Sequence, residues 1–234
     1  MAVATATRLA PALYGKAFEE RCANLLRSKL SMTLTNVGGC GDGGVDIQGW
    51  WWLPQLSSES SNERRRIRTI IQCKAFDKKL GPVHVRELEG AALQQYHASS
   101  AVLQPDTTTP DGASEVDASS DISSTGTNSE LVAILMSLSG FSRMAIRRTM
   151  ASPIPFLLLH LPPTSDNEPD TLASIIWNAK LGSTNGILGG NMEIRQELGK
   201  SKRPTLYWCG KKLKHWVPEL EPSQSNSRFD PPSQ

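Results

Sequence analysis

No apolar run in this 234-residue chain approaches the roughly 18 residues that a membrane-spanning helix needs. The best candidate, Ile154 to Leu161, holds Pro155 and His160 and reads as a buried strand. Cysteine is scarce: residues 22, 40, 73 and 209 form no C-x-x-C and no Cys/His cluster at zinc spacing. Each lies in or beside an apolar run, so each is expected to be a small buried core residue. Nothing asks for an oxidising compartment. Between Glu87 and Ser142 there is no Lys or Arg, whereas eight acids fall there. The remainder carries 25 basic against 15 acidic residues, a formal +10. That surplus suits a polyanionic partner; a solvated mixed-charge surface is the plain alternative. No internal repeat is present.

What is there is a succession of short elements. Residues 1–16 are rich in Ala and Thr and hold Arg8 and Lys16 but no acid, the composition of a weak transit peptide. Gly15 to Leu30 reads as a helix with Phe18, Cys22, Leu25 and Leu26 on one face. Glu19 falls at the edge of that face, where a carboxylate is costly unless paired or metal-bound. Glu20 points away. Strands are expected at Met32–Val37, Gly44–Leu53, Ile70–Lys74, Leu131–Leu138 and Pro155–Leu161, with helices at Val83–His97, Phe141–Met150 and Thr171–Leu181. Two short strands follow, near Met192–Gln196 and Thr205–Cys209. Gln104 to Asn128 is a Ser/Thr/Asp/Pro/Gly tract read as a disordered acidic insert. Trp50-Trp51-Trp52 reads as a strand end packed on the core, with base stacking as the second choice. Three basic groups are candidates for phosphate contact: Arg64, Arg65 and Arg66 with Arg68 just ahead of a strand, Arg143, Arg147 and Arg148 on a helix, and Lys200–Lys214. The first group would equally protect a sheet edge.

The chemistry-bearing stretch runs from Gly38 to Lys74. Its loop, Gly38-Gly39-Cys40-Gly41-Asp42-Gly43-Gly44, leads into a strand rather than a helix and lacks Gly-Lys-Ser/Thr, so a P-loop is rejected. Val45-Asp46-Ile47 follows, then Ile70-Ile71-Gln72-Cys73-Lys74. Strand alternation places Gln72 and Lys74 on one face. If that strand pairs with the one opened by Asp46, then Asp46, Gln72 and Lys74 converge, and Glu19 on an overlying helix completes a cluster. Phosphodiester hydrolysis needs charge offset at the phosphate, an activated water and a stabilised leaving oxygen. Mg2+ held by a few carboxylates plus a Lys supplies these.

These motifs resemble the metal-dependent core of the restriction-endonuclease-like fold, most nearly its Mrr-type branch, with a GDGGVD-like loop followed by QCK. Gly15-Lys16-Ala17-Phe18-Glu19 resembles that family's first helix. The Val85-Arg86-Glu87-Leu88 and Gly140-Phe141-Ser142 stretches resemble its later elements. The resemblance implies an α/β fold with a central mixed sheet flanked by helices. The disordered acidic insert and a small C-terminal strand-rich extension are added to that fold. It divides the chain into 1–14, a core at 15–161, an extension at 162–222 and a tail at 223–234. It also implies catalysis by Glu19, Asp46, Gln72 and Lys74, with metal held by Glu19, Asp46 and the carbonyl of Cys73. Mg2+ (or Mn2+) is the implied cofactor, DNA the implied partner, and a homodimer a common assembly for this fold. Gln72 stands where many relatives carry an acid, which lowers the charge offered to a metal. Trp177-Asn178-Ala179 and Arg203–Trp208 are similar to stretches of fungal mitochondrial proteins required for respiratory growth, implying a mitochondrial location. A non-catalytic nucleic-acid-binding or scaffold protein on the same fold is the competing reading.

Overall fold

The computed structural model describes residues 11–38, 43–56, 64–101, 130–164, 168–196 and 203–218; residues 97–101 are described as backbone only. The expected insert at 104–128 and the segments at 1–10 and 219–234 lie outside them. α1 (Pro11–Lys29) leads into β1 (Met32–Asn36), β2 (Ile47–Pro54) and β3 (Arg64–Lys74). α2 (Pro82–Ala101), β4 (Leu131–Ser137), α3 (Arg143–Met150) and β5 (Phe156–His160) follow. The chain goes on through β6 (Ser174–Trp177), α4 (Ala179–Gly182), β7 (Met192–Gln196), β8 (Pro204–Trp208) and β9 (Lys211–Lys212).

The first six strands form one sheet in sequence order. β1, β2 and β3 are antiparallel, β3, β4 and β5 run parallel, and β6 returns antiparallel on β5. Parallel neighbours need a crossover, and α2 and α3 supply the two crossovers on one face. Being covered on both faces, β4 reads as an unbroken apolar run, and all seven of its residues are buried. The other face is closed by α1. Phe18, Cys22, Leu25 and Leu26 lock onto Ile47, Ile71, Cys73 and Ile134, each side chain stabilising the fold by about 1.5–3 kcal/mol on full burial. α2 seats Val85, Leu88 and Ala92 on Ile70, Ala133 and Phe156.

Several expectations change. Thr171–Leu181 is not one helix: residues 174–177 are β6, and a four-residue helix follows. Ile175 and Ile176 are β-branched and suit a strand, and the open edge of β5 takes them. Asn178 then ends the strand, its Oδ1 accepting from Phe156 and Leu181 N–H at 3.1 and 3.2 Å. The sixth strand of the sheet thus comes from the C-terminal stretch. Arg64–Arg68 belong to β3 itself and do not precede it. Cys209 is exposed, unlike Cys22 and Cys73, because it stands in the tight β8–β9 turn with φ 47°. Cys40 lies outside the described residues. Of the three tryptophans only Trp51 is fully buried, while Trp52 Nε1 donates to Thr33 Oγ1 at 3.0 Å.

Candidate active site

A glycine turn pressed against β3 builds the site. Gly43 and Gly44 have φ of 63° and 82°, left-handed values that favour glycine. A Cβ on Gly44 would also stand 2.8 Å from Gln72 Nε2, so this position is glycine on two counts. The turn delivers Asp46 immediately before β2. Asp46 N–H donates to Ile71 O at 3.0 Å, and its carbonyl accepts from Val37 and Gly38 N–H at 2.9 and 3.1 Å. With the backbone held from both sides, the carboxylate is aimed: Oδ2 accepts the Cys73 N–H at 2.6 Å. That bond takes the ladder position another β2 residue would have filled. In an antiparallel pair a residue's N–H and C=O point to the same flank. The Cys73 carbonyl therefore faces the gap where the Asp46 carboxylate lies.

Gln72, next to it, is 2% exposed. Its Nε2 donates to Gly44 O at 2.7 Å, while Oε1 is buried without a hydrogen-bond partner among the described residues. Such an orphan costs about 1–3 kcal/mol and calls for an explanation. Its lone pairs suit a hard cation or a water bound to one. Glu19 is half-buried on α1. Contact with Cys22, then burial, then the charges of Asp46 and Glu19 push the Cys73 thiol well above its ordinary pKa. Both carboxylates thus bear on one residue of β3, and the sulfur stays protonated, leaving the carbonyl as the Cys73 donor. Lys74 is half-exposed and has Gln72's parity in the strand.

The structure therefore brings Asp46, Gln72 and Cys73 together around one turn. Glu19 approaches from α1 on the Cys73 side of the sheet, and Lys74 follows next along β3. Two carboxylates, an amide oxygen and a backbone carbonyl are hard donors of the kind Mg2+ or Mn2+ takes. Among the described residues no three of His, Cys, Asp and Glu gather into a ready cage.

The arginine candidates fall at two places, while of the third basic group Lys200 and Lys202 lie outside the described residues and Lys211, Lys212 and Lys214 follow β8. Arg143 and Arg147 are exposed on α3, which starts where β4 ends, the same end of the sheet as Lys74. Arg64, Arg65 and Arg66 lie at the far end of β3, about 23 Å from Gln72 at the usual strand rise. Arg66 stacks 4.5 Å over Trp50 and Arg64 lies 5.6 Å from the Trp216 ring. Arg65 pairs with Glu130 at 3.0 Å and donates to Ile187 O. Sequence reasoning passed over Lys78 and Lys79, exposed in the turn after β3. Burial lowers the His160 pKa, and the Lys79 charge adds to it, so this lysine stands near the end of β5. The sequence signal was their place four and five residues after Lys74. Glu89, counted with the acidic block, is instead buried and paired with Arg148 and the Ser152 hydroxyl.

A mixed sheet with this strand order, an acid delivered by a glycine turn and a Gln-x-Lys strand beside it define a restriction-endonuclease-like protein. The family model of the Mrr catalytic domain, described as a restriction endonuclease, matches residues 11–135. That is more than half of the chain, and the chain belongs to this family. "Required for respiratory growth protein 7, mitochondrial" of Saccharomyces cerevisiae is similar to it, with the same figures in strains YJM789 and JAY291. The identity is 33% over 110 residues, covering 32% of this chain and 46% of the relative. The chain thus spans about half the length of the curated relatives it matches. No solved structure gives a significant match.

Proposed function

We propose that the chain is a divalent-metal-dependent nuclease that hydrolyses phosphodiester bonds of DNA in the mitochondrion. The observation that carries this is the buried Gln72 Oε1, without a partner among the described residues, next to the Cys73 position that the Asp46 carboxylate engages. In this reading Asp46, Glu19, Gln72 Oε1 and the Cys73 carbonyl hold Mg2+. A bound Mg2+ offsets phosphate charge and makes a water acidic enough to attack at neutral pH. The residues of the chain do the rest. Lys74 places its ammonium beside the scissile phosphate, where it orients the water or receives the charge that develops in the transition state. Asp46, fixed through both its backbone and Oδ2, loses no freedom on binding. Lys78, Lys79, Arg143 and Arg147 at this end of the sheet supply phosphate contacts that position the strand without reading its sequence. The mitochondrial assignment is supported by the name of the yeast relatives.

Purified protein on plasmid, linear and branched DNA, with and without Mg2+, tests the reading. We expect Mg2+-dependent cleavage that Asp46→Asn and Lys74→Ala remove while both variants stay folded. Cleavage that persists in both variants would displace the site. Salt-sensitive binding with no cleavage by the wild type would make the fold a binding platform.

A further inference from the structure

A cavity of about 410 Å³ opens on the α1 side of the sheet, away from the glycine turn. One wall is the last turns of α1, with Leu25, Ser28 and Lys29; the others are residues 170–175 and 203–215. These last two segments lie beyond residues 11–135, so the cavity is an addition of this chain to the family core. Its floor is apolar, built on buried Leu25, Leu30 and Leu206. Its rim is cationic: Lys29, Arg203 and Lys212 line it together with His215. The one acid among its described lining residues, Asp170, is already neutralised by Arg21 at 2.5 Å. Lys29 and Arg203 have no ion-pair partner among the described residues. Ser28, Thr171 and Thr205 also line it; the Ser28 hydroxyl donates to the Asn24 carbonyl at 2.7 Å and keeps its lone pairs for accepting.

An apolar floor, hydroxyl-bearing residues on the wall and cations at the mouth match a nucleoside phosphate. The volume suits one such unit and is far too small for a duplex. The cavity and the candidate site share α1. From Glu19 to Ser28 that helix rises about 14 Å, equal to about four base-pair steps. We propose that the cavity receives one unpaired nucleotide of the strand being cleaved, with its base on the leucine floor and its phosphate between Lys29 and Arg203. The substrate would then be DNA with a single-stranded tail or flap. This rests on the nuclease reading above for the link to cleavage, though not for the binding itself.

The test uses the full chain and two variants. Ser28→Trp fills the cavity from an exposed wall, and Lys29→Glu with Arg203→Glu reverses its rim. Affinities are measured in EDTA for free dAMP and dTMP, for a blunt duplex and for the same duplex with an unpaired tail, with circular dichroism confirming the fold. We expect the wild type to prefer the tailed duplex by about tenfold or more, the scale of one charge-assisted phosphate contact. Each variant should lose that preference and the free-nucleotide binding, leaving blunt-duplex affinity nearly unchanged. The proposal is overturned if folded variants keep the preference, or if the wild type shows neither preference nor nucleotide binding. Free-nucleotide binding without tail preference would assign the cavity to a mononucleotide and overturn its link to the strand. Cleavage in Mg2+ separates the two readings. Cleavage with no effect of the cavity variants fails the cavity alone. Tail preference that the variants abolish, with no cleavage, fails the nuclease reading alone.

Discussion

The two ends of β3 carry similar residues to opposite purposes. At its start, Arg64, Arg65 and Arg66 are consumed internally: two lie against tryptophan rings, and the third pairs with Glu130 and caps the Ile187 carbonyl. At its finish, Gln72 buries an oxygen without a partner among the described residues, and the Cys73 carbonyl points to the flank where the Asp46 carboxylate lies. The arginine end is thus held by one ion pair and two ring contacts. The other end carries a buried amide, Lys74 and the Asp46 carboxylate bonded to the strand. Arg64 Nε and Arg65 Nε are also buried without partners among the described residues, so what marks the candidate site is the carboxylate and the amide gathered on a glycine turn.

The sharpest break of that contrast exchanges the two ends' roles by mutation. Lys74→Ala should lower Mg2+-dependent cleavage by about 10²-fold or more, the scale of losing one transition-state contact, with the urea midpoint nearly unmoved. Arg65→Ala should do the reverse. Losing its bonds to Glu130 and Ile187 O should cost about 1–3 kcal/mol of stability, with cleavage per folded molecule unaltered. If both variants lost activity and stability together, the two ends would not differ in kind.

Gln72→Glu sharpens the comparison at the site end alone. The added carboxylate should lower the Mg2+ concentration for half-maximal activity by about tenfold, since charge count tunes affinity for hard cations. It also removes the Nε2–H bond to Gly44 O, so the metal-free variant should melt earlier than wild type. Mg2+ should then raise its melting temperature by more, because a ligand that binds the native state alone stabilises it. Equal Mg2+ responses in both proteins would place the ion away from Oε1.

Much of the site was legible because its spacing is local. Gly44, Asp46, Gln72 and Cys73 belong to one turn and one strand, and strand parity predicts their faces. Helix α1 was equally legible, since Phe18, Cys22, Leu25 and Leu26 recur at helical period. The segment at 171–181 was not, because Leu172, Ile175 and Ile176 also fit helical spacing. The deciding fact is the free edge of β5, which no local pattern contains. The arginines of β3 were misplaced for a similar reason. Their partners Trp216, Glu130 and Ile187 come from distant parts of the chain, and an unanswered charge cannot be told from an answered one in sequence. The cavity by α1 joins residues 25–30, 170–175 and 203–215, a gathering that only the fold makes.

The smallest expected effect concerns pH, again at the end of the sheet that holds the site. His160 closes β5 and contacts the Leu138 carbonyl at 3.2 Å. Burial lowers its pKa below 6.5, with Lys79 adding to the shift against the carbonyl's opposing pull. In the unfolded chain this histidine takes up a proton near pH 6.5, whereas the folded chain resists it. Stability from this residue is therefore complete above pH 6.5 and is lost as pH falls through the lowered folded value. The arginine end has no such term, because guanidinium stays charged throughout. His160→Gln should thus narrow the fall in the urea midpoint between pH 7.5 and pH 5.5, while Arg66→Gln should leave that fall as it is. Carboxylates contribute to the fall in all three proteins and cancel in the comparison. An identical fall in His160→Gln and wild type would mean that His160 accepts its proton as freely folded as unfolded, and the site end would then be no more pH-sensitive than the other.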